Sequence, residues 1–430
     1  MSNSSKNLND IAWESLFEEY DILNQVETQG RYEISAAQIR KFREPRLMAK
    51  FDHLINLPRI FSENRLAILP ITRGDYVISH FDAYHKFETN SSSVIKVSLP
   101  TYIQSLNSLD IPNEAIAVNC AVAAGIISDF LQDEDIVPTV SGRMGSGLFD
   151  FNITNFKSNT PCLVQVANSQ IEIDAAFEGI RSLALLEAKR DLSEDFLVRQ
   201  LYYPFRVWQR RTTKPIRSLF LVYSNGIYHL YEYIFEDKNN YNSLVLVNQK
   251  NYSIEDTTIE ITDIQSILQH VVTEKEPEIP FPQADNFERV INICELLNDQ
   301  ELSRTDVTER YAFDARQTNY YTDAARYLGL VDKKYDDTIP IYILSEKGKQ
   351  ILKLGFKQRQ LAYCDCILSH KIFSDTLQKY LESGNMPPTS DIVNIMKNSN
   401  LHKIESDSTF ERRSSTIKGW LNWIIGMINE

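Results

Sequence analysis

The sequence predicts a mixed α/β protein, with a mixed sheet in the middle of the chain and a mostly helical C-terminal part. Three observations carry this expectation. The apolar run Leu183-Ala184-Leu185-Leu186 follows a shorter strand around Glu172-Ile173-Asp174. Two more apolar runs, Leu219–Tyr223 and Ile227–Phe235, are separated by Asn225-Gly226, a strong hairpin signal. Beyond residue 283, helical spacing dominates, interrupted by one short pair of strands.

At 430 residues the chain is long enough for two or three domains, and 43% hydrophobic content supports well-packed cores. The expected organisation is a mixed N-terminal region over 1–110, a core built on the mixed sheet over 111–273, a linker over 274–284, a small domain over 285–356 and a helical region over 357–430. The linker rests on Glu274-Lys275-Glu276-Pro277 through Pro282, which is acidic and proline-rich. The most apolar run, Ala115–Ile127, is too short to span a bilayer, and the polar Met1–Asp10 segment has no signal-peptide core. No membrane association and a cytoplasmic location are therefore expected. The five cysteines include no CxxC pair and read as reduced core thiols; Cys364-Asp365-Cys366 near His370 lacks a second ligand pair for zinc.

In chain order, Ile11–Asn24 reads as a helix. Next comes a cationic segment, with Arg31, Arg40, Lys41, Arg43, Arg46 and Lys50 set against Glu33 and Glu44. Ser35–Phe42 reads as a short helix that Pro45 should end. This segment suits either DNA contact or a solvated face. Asn113–Gln132 is helical. Gly142-Arg143-Met144-Gly145-Ser146-Gly147 lacks the Lys-Ser/Thr of a phosphate loop and reads as a tight turn into a strand at Phe149, leaving Arg143 for phosphate or base contact. Behind Lys189, Ser193 should cap a helix with Glu194 and Asp195 in its first turn, and Pro204 should kink or end it.

The chemistry concentrates between Ile171 and Arg217. Side chains alternate along a strand, so Glu187 and Lys189 leave on one side. With the Asp174 strand alongside, two carboxylates and an ammonium converge, a set that can hold a hard divalent cation. Glu172 is placed on the opposite face and serves only as a fallback ligand. Glu236-Asp237-Lys238 and Asp332-Lys333-Lys334 fit the same bare pattern, but the first reads as a turn and the second as a charged loop.

These residues, in the order strand, strand, helix, strand, resemble the active site of the PD-(D/E)XK nucleases, which include most type II restriction endonucleases. Ile173 stands where the motif's proline would be. The resemblance implies a restriction-endonuclease-like core and a Mg²⁺ ion held by Asp174, Glu187 and the carbonyl of Ala188. It further implies that Lys189 orients the attacking water.

From Phe196 to Arg217 the chain has six cations (Arg199, Arg206, Arg210, Arg211, Lys214, Arg217) and no acid, interleaved with Tyr202, Tyr203 and Trp208. The whole chain carries 45 Lys+Arg against 58 Asp+Glu, a net charge of −13, so any polyanion must be gripped locally. Arg199, Arg206, Arg210 and Arg211 are accordingly expected to contact phosphates.

Past the linker, helices are expected over Phe287–Leu297, Ser303–Tyr311 and Ala315–Leu328, the last capped by Asp314 and closed by Gly329. Leu330-Val331-Asp332 and Ile341–Leu344 should form a hairpin, followed by a helix at Ser345. Three helices and a hairpin resemble the winged helix-turn-helix over about sixty residues. That resemblance makes Arg316, Gln317, Asn319 and Tyr320 candidate base readers. The tail from Arg412, with Trp420 and Trp423, reads as an amphipathic helix that packs on this domain.

The expected function is a Mg²⁺-dependent, sequence-specific double-stranded DNA endonuclease of the type II restriction class, homodimeric on a palindromic site and paired with a DNA methyltransferase. Two alternatives stay open: a structure-selective repair or mobile-element nuclease, and a winged-helix regulator whose α/β domain only scaffolds.

Overall fold

The computed structural model describes residues 7–88, 93–311, 313–399, 401, 402, 404 and 406–428. Residues 1–6 of the polar opening segment lie outside these. The chain forms two compact units. The first comprises residues 1–95, 113–223 and 228–252, and the second 96–112, 224–227 and 253–430.

The first unit is built on a seven-stranded mixed sheet: β1 (Val94–Lys96), β2 (Val137–Gly145), β3 (Gln170–Glu178), β4 (Leu183–Lys189), β5 (Ile216–Ser224), β6 (Ile227–Phe235) and β7 (Leu244–Ser253), in the order β1-β7-β6-β5-β4-β3-β2. β4 runs parallel to β5 and antiparallel to β3. Its first six residues are all buried, as suits a central strand covered on both faces. β5 and β6 meet at Asn225-Gly226, both with positive φ (52° and 78°), the backbone that a two-residue hairpin turn needs.

The helix Arg199–Trp208 packs across β3 and β4. Its Leu201, Tyr202, Tyr203 and Val207 enter a core with Phe149, Phe151, Phe220 and Tyr233. Each such buried side chain contributes roughly 2–3 kcal/mol of transfer free energy. Ser193 is not its cap: residues Asp195–Leu197 form a short strand against Tyr84–Lys86, and the helix begins at Arg199. Nor does Pro204 end it, for the helix continues through that proline to Trp208. At the N-terminus, Ser35 caps a helix over Ala36–Arg40 through a reciprocal pair with Gln38. Pro45 then opens a further helix, Pro45–Ala49, from its first position, where a missing N–H costs nothing.

The second unit is mostly helical. Helices Phe287–Asp299, Arg304–Arg310 and Ala315–Tyr327 precede a hairpin of Val331–Asp336 and Ile339–Leu344, and Leu302–Ser303 adds a third strand. Asp314 caps the third helix by accepting from the amides of Arg316 and Gln317, and Gly329 closes it with φ 70°. Asp332-Lys333-Lys334, expected in a loop, lies in the first hairpin strand; the turn falls at Asp337, where φ is 51°. The tail helix, Asp407–Gly426, buries Trp420, whose indole donates to the Ala284 carbonyl at 2.6 Å, and lays Trp423 on Phe287 at 4.4 Å. The stretch 274–284 lies within this unit. Phe281 and Ala284 are buried, and Tyr327 donates to Glu276 at 2.6 Å. All five cysteines are free thiols. Among the described residues no helix is long and apolar enough to cross a membrane.

Candidate active site

The ladder between β3 and β4 runs from Glu178–Leu183 to Ala175–Leu186 and stops there. The next step on each strand is Asp174 and Glu187, so the two strands part at the acids. On its other edge β3 has one residue more than β2 between the pairs Val140–Ala176 and Gly142–Ile173, a bulge that falls on Asp174-Ala175. Bulges re-aim side chains, and this one sits at the fork.

Asp174 Oδ2 accepts the backbone N–H of Ala188 at 2.8 Å, which closes the fork. In an extended strand a residue's N–H and C=O leave by the same edge, so the Ala188 carbonyl shares the Asp174 side. Lys189 Nζ donates to Glu187 Oε1 at 2.6 Å, and Gln200 Nε2 donates to the same oxygen at 2.6 Å. The three residues of the expected triad thus share one spot. Glu172 is a correction. It stands two residues from Asp174 on one strand, on the same face, and lines the same cleft, where its carboxylate accepts from Arg143 Nε at 3.1 Å.

Two further acids, which no motif or spacing marks, stand near the triad. Glu114, at the start of the helix Glu114–Ala123, lines the cleft beside the triad. Asp52 is partly buried, and its buried Oδ1 has no hydrogen-bond partner. The segment holding Asp52 is stapled behind Lys189. Leu197 N donates to the Asp52 carbonyl at 2.8 Å and Leu54 N to Asp195 Oδ1 at 2.9 Å. His53 Nδ1 lies 2.7 Å from the Asp195 carbonyl, and its Nε2 lies 3.3 Å from Asp191.

Burial dominates the electrostatics. It pushes the Glu187 carboxyl up to about 7, against the pull of Lys189. Asp174 and Glu114 are raised for the same reason. Burial also opposes charge on Lys189, but Glu187, Asp52, Glu114 and Asp174 together hold its ammonium well above the ordinary lysine value. Burial would raise Asp52 too, yet Lys189, Lys50 and Arg199 hold it below its usual range.

The donor set consists of carboxylate, amide and carbonyl oxygens, the chemistry of a hard cation such as Mg²⁺. The Oε1 of Gln200 is buried at the site without a hydrogen-bond partner. As the side chains stand, with Lys189 and Gln200 on Glu187, no three His, Cys, Asp or Glu among the described residues converge closely enough to hold an ion. The donor types suit such an ion, although their positions in the structure do not gather three such side chains around one point.

The site opens into a cleft of about 540 Å³. Of the expected phosphate contacts, Arg199 and Arg143 line it. Arg206 does not. It is 2% exposed and donates to the Asp150 carbonyl and the Tyr202 hydroxyl, both at 2.8 Å, so it is a core residue. Arg210 donates to the Leu148 carbonyl, while Arg211 stacks on Trp208 and reaches the Gly145 carbonyl at 3.5 Å. Lys214 pairs with Glu178, and Arg217 with Glu232 through two 2.6 Å bonds. The cationic run thus ties the sheet and helix together more than it serves the cleft. In the second unit Arg316 is exposed and donates to the Tyr320 hydroxyl at 2.8 Å; Gln317 and Asn319 follow on the same early turns.

Three family models match the chain, each described as a domain of unknown function: DUF6996 over residues 10–78, DUF6997 over 79–253 and DUF7226 over 289–429. No curated protein and no solved structure matches it.

Proposed function

We propose that this protein is a Mg²⁺-dependent DNA endonuclease of the PD-(D/E)XK type whose second unit reads the DNA. The observation that carries the reading is the fork: β3 and β4 part where Asp174 and Glu187 face each other, with Lys189 one strand repeat beyond. Asp174, Glu187 and the Ala188 carbonyl would hold the ion, which when bound polarises the scissile phosphate and lowers the pKa of its water. Glu187 would serve that ion as a carboxylate ligand; in the structure its Oε1 accepts from both Lys189 and Gln200. Lys189, still charged among Asp52, Glu114 and Asp174, then donates to the attacking water and offsets charge on the transition state. Gln200 holds Glu187 in place. The three helices and hairpin of the second unit act as a winged helix with Arg316, Gln317, Asn319 and Tyr320 toward the bases. Homodimerisation on a palindromic site and a partner DNA methyltransferase complete the restriction reading.

The test is incubation of supercoiled and linear double-stranded DNA with the purified protein in Mg²⁺, Mn²⁺ or EDTA. Discrete metal-dependent fragments support a restriction endonuclease, whereas metal-dependent nicking at branched structures moves it to the structure-selective class. Cutting in EDTA, or full cutting by Lys189→Ala, overturns the site.

A further inference from the structure

We infer that the cationic wall which the N-terminal residues raise over the cleft is the phosphate clamp for a polynucleotide strand, an inference that rests on the nuclease reading for its site. Arg40, Arg46, Lys50 and Arg73 line the cleft together with Arg143 and Arg199. The first four come from a part of the chain outside the seven-stranded sheet.

Among the described residues, Arg40, Arg46 and Arg73 have no carboxylate partner, and all three are exposed. Unmatched guanidinium groups in one place are unexpected in a chain of net charge −13. The acids Glu44, Glu114, Glu172, Asp174 and Glu187 lie in the same cleft. With Lys189 the cleft has seven cations against these five acids, an excess that suits a polyanion on the arginines and a metal ion on the acids beside Lys189. The cleft's 540 Å³, against roughly 30 Å³ for one water, has room for more than a single phosphate group. Successive phosphates of one strand can occupy it.

The wall is also held firmly. Trp13 Nε1 donates to the Met48 carbonyl at 2.9 Å, and Asn9 Nδ2 to the Leu47 carbonyl at 3.1 Å. These bonds fix the helix that bears Arg46 without using any arginine.

The experiment measures binding of a fluorescent duplex, and of its single strand, to the full-length protein in EDTA across a salt series. Arg40→Gln/Arg46→Gln/Arg73→Gln should weaken binding at least about tenfold and flatten the log–log salt slope by two to three, since each lost duplex phosphate contact is worth about 0.9. Arg210→Gln/Arg211→Gln should stay within about threefold, and thermal melting should confirm that both variants fold. A larger slope change on duplex than on single strand identifies duplex as the clamped form; the reverse identifies a separated strand. Wild-type-like binding by the triple variant, or no polynucleotide binding by the wild type, overturns the clamp. Because binding is read without metal, the two ideas fail separately. A triple variant that loses binding in a protein that cuts nothing keeps the clamp and removes the nuclease, and unimpaired cutting by that variant does the converse.

Discussion

Ala188 gives its backbone N–H to Asp174 Oδ2 at 2.8 Å, at the point where β3 and β4 have ceased to pair. A side chain here takes over the role of the missing backbone rung. It leaves Asp174 its second oxygen and keeps the acid within reach of Glu187.

Asp174 therefore has two separable roles. Asp174→Asn keeps an oxygen that can accept from Ala188 but loses the charge, so DNA cutting should vanish while the melting temperature barely moves. Asp174→Ala loses both, and the unpaired amide should cost about 1–3 kcal/mol more. Thermal melting of the two variants beside a cleavage assay decides this. Equal stability in both would mean that the Ala188 bond contributes nothing.

Glu187 makes stability depend on pH. Its folded pKa, about 7, exceeds the ordinary carboxylate value, so its contribution to stability is complete below the unfolded pKa and lost as pH rises through 7. Glu187→Gln should accordingly match the wild type near pH 4.5 and exceed it at pH 8, by up to about 3 kcal/mol. Urea unfolding at both pH values, without metal, measures it. Cation uptake should release a proton below pH 7, so cutting should rise across that range.

Asp52 should behave in the opposite sense. Its folded pKa is depressed by Lys189, Lys50 and Arg199 against the effect of burial, so its stabilisation is present above the unfolded carboxylate pKa and lost as pH falls. Asp52→Asn should be destabilised at pH 7, by an amount that shrinks as pH falls below about 4, the unfolded carboxylate value. A difference that persists unchanged at pH 3 would separate Asp52 from the lysine.

Arg206 shows where sequence and structure diverge. The hairpin at Asn225-Gly226, the apolar β4 and the juxtaposition of Asp174, Glu187 and Lys189 were legible because alternation and turn chemistry are local. A run of cations looks the same whether it meets solvent, phosphate or carbonyls, so Arg206, Arg210 and Arg217 were indistinguishable from Arg199. Glu114 and Asp52 reach the site from 73 and 135 positions before Glu187 (187 − 114 and 187 − 52); no spacing rule covers such distances. Ser193 failed as a cap because Asp195–Leu197 found a strand partner in Tyr84–Lys86.

Arg206→Ala should therefore cost stability, not affinity. The side chain fills the core between Phe149 and Tyr202, and its loss strands the Asp150 carbonyl. A loss of about 2–4 kcal/mol is expected, with the salt slope of DNA binding unchanged. A stable variant with a flattened slope would return Arg206 to the phosphate contacts.

Sequence selection should belong to the second unit. Phosphate contacts position a protein, and base contacts specify. The cleft of the first unit offers scattered cations suited to a backbone, whereas the capped helix Ala315–Tyr327 presents Arg316, Gln317 and Asn319 on its opening turns. Arg316 is exposed with its Nε on Tyr320, which leaves its terminal nitrogens for a guanine edge, whereas the Oε1 of Gln317 is buried. Arg316→Ala should lower the ratio of specific to random duplex binding by about 1–3 kcal/mol, because a bidentate base contact is lost, while binding to random DNA falls far less. Titration of both duplexes at several salt concentrations gives the ratio directly. If the ratio holds in Arg316→Ala and in Gln317→Ala, the bases are read in the first unit, and Arg143 on β2 becomes the residue to change next.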